Sequence, residues 1–188
     1  MEIAKLTREH KRLEPLAGSF TASEMIYPSD WMPDGGEAKS KTSSRLALDG
    51  FAIIQDYEQK VDGNPPYRGH GVLHYNADAK QYEMYWFDNM DSPVTVLRGK
   101  FEGDVLTLSG PTRDGQMRVV YDLKKPEHVH VKTQSSEDGR TWRTLMEADN
   151  IVKKAAKPAR SAARPAASGR KASAGLRTKT SRRPRPHA

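Results

Sequence analysis

Turn signals recur about every ten residues along most of this chain, and that spacing constrains the fold more than any other feature. Asp49-Gly50, Asp62-Gly63-Asn64-Pro65-Pro66, Asn76-Ala77-Asp78, Glu102-Gly103-Asp104, Arg113-Asp114-Gly115 and Glu137-Asp138-Gly139 are examples. Asp-Gly and Asn-rich pairs accept the positive φ that tight hairpins need. Between the turns lie short segments rich in Val, Ile, Tyr, Phe, Trp and Thr. They alternate with period two in Tyr82-Met84-Trp86, Leu97-Gly99-Phe101, Met117-Val119-Tyr121-Leu123 and Trp142-Thr144-Met146. About ten strands follow, with no room for crossover helices, so neighbours joined by hairpins are antiparallel.

Ten such strands form a sandwich or a closed up-and-down barrel. Closure removes exposed edges, so the expected class is all-β, an antiparallel barrel of about ten strands. The second face of several strands is polar, as in Arg68-His70-Val72-His74 and Gln116-Arg118-Val120-Asp122. A one-residue register change exchanges the two faces, so the sequence leaves open which one looks inward. Residues 7–17 predict a short N-terminal helix with Thr7 as its cap. Leu6, Leu13 and Leu16 are its apolar stripe, expected to close one barrel end.

Charge divides the chain. The whole carries 31 basic and 24 acidic side chains, and the segment from Lys153 to Ala188 holds twelve of the basic and none of the acidic ones. The body therefore keeps 19 basic against 24 acidic groups, a charge of about −5 beside a tail of about +12. The expected division is a barrel domain over residues 1–152 and a disordered Lys/Arg/Ala/Pro-rich tail over 153–188, because nothing in the tail offsets the entropy of ordering it. Lys153, Lys154, Lys157, Arg160, Arg164, Arg170, Lys171, Arg177, Lys179, Arg182, Arg183 and Arg185 are its candidate polyanion contacts. Such a segment neutralises phosphates without reading sequence, and it has no aromatic residue for base stacking. Solubility, attraction to anionic lipid and a tether to acidic proteins are the competing uses. With no cysteine, thiol catalysis, disulfides and zinc–thiolate sites are excluded. No signal-like or membrane-length apolar run is seen, and the expectation is a soluble, cytoplasmic protein.

A set of ordered motifs carries a resemblance. His10-Lys-Arg-Leu13-Glu-Pro-Leu16-Ala-Gly-Ser-Phe20, Pro28-Ser-Asp-Trp31, Leu48-Asp-Gly-Phe51 and Gln55-Asp-Tyr57-Glu come first. Arg68-Gly-His-Gly71, Trp86-Phe-Asp88, Arg98-Gly-Lys-Phe-Glu-Gly103 and Asp138-Gly-Arg-Thr-Trp142 follow. Over approximately residues 8–150 this resembles the bacterial family called domain of unknown function 1579. The resemblance implies a calycin-like barrel, akin to lipocalins and fatty-acid-binding proteins, with a ligand-sized interior and no assigned reaction. The tail resembles histone tails in composition only.

Local chemistry is sparse. Gly69-His70-Gly71 lacks the third glycine and the helix of a phosphate loop, and glycines in a barrel strand more commonly mark close backbone approach. His70 and His74 share a face but lie about 13 Å apart on an extended strand, too far for one metal ion. His128 and His130, about 6.6 Å apart, have no third ligand indicated by spacing. Haem held by one His is known in calycin-like barrels and stays an alternative. Asp88 and Asp91 suit acid–base work or a turn's own hydrogen bonds. Nucleophile-elbow, Walker and zinc-protease motifs are missing. The reading is a small-molecule-binding barrel, with no metal or cofactor expected and a non-specific nucleic-acid or other polyanion partner for the tail. Its expected ligand is small and amphipathic or anionic. Tyr82 and Trp86 offer apolar bulk with a polar tip, Arg98 and Arg118 a bidentate grip on an anionic head group, and His70 and His74 complete the candidate set. For both Arg the alternative is an external salt-bridged position. An enzyme working in the lumen with His70 or His74 as acid–base, or a structural module localised by its tail, is the alternative function.

Overall fold

The computed structural model describes residues 4–30 and 32–153. Ten antiparallel strands run in chain order: β1 (Gly18–Ile26), β2 (Gly36–Ala47), β3 (Ala52–Lys60), β4 (Tyr67–Asn76), β5 (Gln81–Asp88), β6 (Thr95–Glu102), β7 (Val105–Thr112), β8 (Gly115–Asp122), β9 (His128–Ser136) and β10 (Arg143–Lys153). Each pairs with its neighbours in sequence, and β1 pairs with β10 to close the barrel. The closing ladder runs from Ser19 opposite Lys153 to Ile26 opposite Met146. Closure leaves no edge strand to recruit another chain. Lys153, placed in the tail by charge, is thus the last residue of β10; the tail from Lys154 onward and Trp31 lie outside the described residues.

The helix is shorter than the sequence predicts. α1 spans Arg8–Lys11 with Thr7 at its N-cap, where the Thr7 N–H donates to His10 Nδ1 at 3.1 Å. A separate 3₁₀ turn, Glu14–Leu16, follows. Pro15 stops continuous α-helix, because it lacks an N–H and biases the preceding residue away from helical φ/ψ. Leu13 and Leu16 are buried and plug the barrel end as expected, but Leu6 is 38% exposed and lies against Gly50 outside the plug.

Register settles the question of faces. Residues directly opposite on paired strands share a face. The Leu73–Met84–Leu97 row and the Gly99–Leu108–Val119 row put the apolar members of each alternation inside. Leu13, Phe20, Ile53, Leu73, Met84, Leu97, Leu106, Leu108 and Tyr121 form one core beneath the plug. Each fully buried Leu or Ile there contributes about 2 kcal/mol relative to exposure. One alternation breaks: between Thr144 and Met146 the β10 register shifts, so Thr144 faces outward to Gln134 while Met146 turns in opposite Thr133. A bulge of this kind adds one unpaired residue and reverses the pattern beyond it. Among the described residues no helix is long and apolar enough to cross a membrane.

Candidate functional site: the helix-distal lumen

Away from the plug the interior changes character. The same inward rows continue as Ala22 and Glu24 on β1, Ser40 and Thr42 on β2, Gln55, Tyr57 and Gln59 on β3, and Tyr67 on β4. Trp86 and Asp88 extend the row on β5. Glu24 is the one acidic residue in the inward stripe Phe20-Ala22-Glu24-Ile26 and is 4% exposed. The Tyr57 hydroxyl donates to it (2.9 and 2.7 Å to the two oxygens), and so does Gln59 Nε2 at 2.5 Å. Burial, then the Glu24 charge, pushes the Tyr57 phenol far up, so it stays a donor. No ion pair reaches Glu24 among the described residues. Ser40 Oγ, on the same face, is buried without any hydrogen-bond partner there.

An aromatic wall stands beside this cluster. Trp86 lies flat over Gly69 and Gly71, which face it from β4; a Cβ at Gly69 would sit 1.9 Å from Cζ2, and one at Gly71 2.9 Å from Cε3. The Gly-x-Gly pair is therefore a bed for an indole, and no phosphate loop forms there. Trp86 Nε1–H donates to the Tyr67 hydroxyl at 3.0 Å, and that hydroxyl donates to Asp88 Oδ2 at 3.3 Å. Burial pushes the Tyr67 phenol up to about 12. The Tyr57 ring packs 6.1 Å from Trp86 and 6.0 Å from Tyr67. Asp88 also accepts the Met90 N–H at 3.0 Å, which is the turn role, while Asp91 is exposed at positive φ. Thr42, Gln55, Tyr57, Tyr67 and Trp86 face inward yet are only half-buried, whereas Leu73, Met84, Leu97, Leu106 and Leu108 in the core under the plug are sealed.

The six predicted ligand residues divide. Trp86 belongs to this site. Tyr82 points inward but lies in the plugged half, 3% exposed, and its hydroxyl donates to the Glu9 carbonyl at 2.8 Å. His70, His74, Arg98 and Arg118 take the opposite parity and face outward. His70 pairs with Asp56 at 2.7 Å in a shallow outer groove that Lys41, Glu58 and Arg68 also line. His74 and Arg98 meet on Glu83, at 3.6 and 3.7 Å. Arg118 donates twice to Gln134 Oε1 (2.9 and 2.7 Å) and stacks on Trp142. Neither Arg is placed to grip a head group in the lumen, and neither His is placed for acid–base work inside it, because the apolar half of each alternation claimed the interior. His130 pairs with Asp149 on the outer face. No cluster of three His, Cys, Asp or Glu suited to a metal occurs among the described residues. Glu24, Ser40 and Gln59 escaped the sequence reading; a lone Glu between Phe20 and Ile26 in an alternating strand was their available signal.

Among solved structures, the fold is similar to Rv2717c from M. tuberculosis, with a TM-score of 0.59 and 14% identity over 80% of this chain and 100% of that one. It is also similar to the S-type phycobiliprotein lyase CPES from Guillardia theta, with a TM-score of 0.55 and 12% identity over the same shares. At these identities the likeness is one of fold. Comparison with curated proteins gave no match. Residues 5–151, from the helical plug into the last strand, match the family described as "Protein of unknown function (DUF1579)", and the chain belongs to that family.

Proposed function

We propose that the barrel binds a small molecule in its helix-distal half, entering between the loops opposite the plug. The observation that carries this reading is the change in character along one set of inward rows. Beneath the plug the core leucines are apolar and sealed; beyond it the rows turn polar and aromatic, with Tyr57, Tyr67 and Trp86 half-buried beside the buried Glu24, Ser40 and Gln59. Concave sites with aromatic walls and a few convergent polar groups are where small ligands bind. The similarity in fold to a phycobiliprotein lyase is in keeping with a barrel of ligand-binding size. Native mass spectrometry of the full chain, compared with the denatured chain, tests it. An added mass lost on denaturation supports the reading. A bare mass, together with no change in tryptophan emission across a panel of amphipathic compounds, counts against it.

The tail is proposed to bind nucleic acid or another polyanion through charge alone, on the strength of its eleven uncompensated cations beyond Lys153. Full-length protein should bind duplex DNA with a steep salt dependence, about −0.9 in log K per log salt for each phosphate neutralised. A chain ending at Lys153 should not bind. That endpoint keeps the β1–β10 ladder intact, which a cut at Ile151 would shorten by two residue pairs. Equal binding by both chains would overturn the proposal.

A further inference from the structure

From the polar half of the lumen we infer that the bound small molecule carries a cationic nitrogen, an ammonium or guanidinium group, with Glu24 as its counter-ion. The inference rests on the reading of the barrel as a ligand-binding one and names the class of ligand. Two carboxylates, Glu24 and Asp88, face inward, and among the described residues no Lys or Arg stands at an inward register of this half except Arg143. Arg143 is exposed at the very rim, opposite Ser135. A carboxylate offers about four lone-pair directions, and Tyr57 and Gln59 supply two donors, so acceptor capacity on Glu24 remains open. A buried charge of this kind is ordinarily paired. Ser40 Oγ is an independent sign of an unfilled position. It is 97% buried, has no partner, and faces the lumen diagonally across the β1–β2 ladder from Glu24, about 7 Å between Cβ atoms.

The surrounding rings fit the same ligand. Tyr57, whose hydroxyl reaches Glu24, packs with Tyr67 and Trp86 in one aromatic wall, and a cation within about 6 Å of such a ring face is attracted to it. An anionic head group would meet the opposite field. The expected ligand is thus an organic cation with an apolar body. The carboxylate holds its nitrogen, and the body lies along the aromatic wall.

Three compounds of one shape separate the readings: hexylammonium, hexanol and hexanoate, titrated calorimetrically into the full chain at constant salt. Hexylammonium should bind about tenfold or more tighter than hexanol, the margin of a charge-assisted hydrogen bond. Glu24→Gln should reduce hexylammonium to the level of hexanol. Equal affinities for all three, or preference for hexanoate, would overturn the cation assignment and leave a ligand-binding barrel. Binding by none of them would overturn both. Should Glu24→Gln fold poorly, Tyr57→Phe gives the second measurement: deleting a competing donor frees the carboxylate, so the ammonium preference should hold or widen. Its collapse would sink the assignment.

Discussion

The two halves of the barrel are built from the same strands and even the same inward rows, yet they do opposite things with the residues they enclose. On β1, Phe20 enters the sealed core, and Glu24, four residues on, meets Tyr57 and Gln59. On β5, Tyr82 fixes the N-terminal segment through the Glu9 carbonyl, and Trp86 lies on bare glycine backbone at the other end. The plugged half holds most of the buried apolar side chains, and the other half, with Ile26 among its buried residues, also encloses the polar Glu24, Ser40 and Gln59. Stability and binding are thus assigned to different lengths of the same strands.

The largest effect that would test this division is a cavity in the plugged half. Leu106→Ala or Leu108→Ala, both fully buried, should cost about 2–5 kcal/mol in urea unfolding, and a loss under 1 kcal/mol would show that this half is not the stabilising one. Next is Gly69→Ala, whose methyl has no room under the indole. We expect about 1–3 kcal/mol and a shifted Trp86 emission; an unchanged spectrum would mean that the ring does not lie there in solution. By contrast, Ser40→Ala removes a hydroxyl that has no partner and should be neutral within about 0.5 kcal/mol, or slightly stabilising.

The halves should also respond to acid at different pH. Burial holds the His10 imidazole below its ordinary 6.5, where its ring packs edge-on against Phe51 and Tyr75. Its unfolded form therefore binds the proton more readily. The stability it contributes is complete above pH 6.5 and declines as pH falls from there through the lower folded value. At the other end, the Asp138 carboxyl accepts the Thr141 and Arg140 N–H groups at 2.8 Å each, which hold it down at about 2. Its contribution is complete above about 3.8 and is lost only as pH falls toward 2. NMR titration of the two groups checks the order. If the β9–β10 turn loosened before α1, the assignment of these two titrations to the two ends would fail.

Much of the architecture was legible beforehand, because hairpin turns and period-two alternation are local properties. Turn chemistry at Glu102-Gly103-Asp104 or Arg113-Asp114-Gly115 depends on a few adjacent residues, and strand count follows from it. The family resemblance drew on the same ordered motifs, and the family match spans residues 5–151. The site was far less legible. Of the predicted ligand residues only Trp86 stands in the helix-distal lumen. Arg98, Arg118, His70 and His74 were attractive for their chemistry, but chemistry carries no information about which face a strand turns inward. The missed bulge near Thr144 has the same origin, since an extra residue in one strand is visible only against its partner.

What the sequence determined by itself was the element order, the antiparallel pairing and the separation of an acidic body from a basic tail, all set by local propensity and composition. What the tertiary structure decided was parity. Only closure, with β1 pairing to β10 and the plug sealing one end, established which alternating set met across the lumen. That meeting set Glu24 of β1 against Tyr57 and Gln59 of β3, residues more than thirty positions away along the chain. Contacts at that distance are created by register, and register is a property of the whole closed sheet.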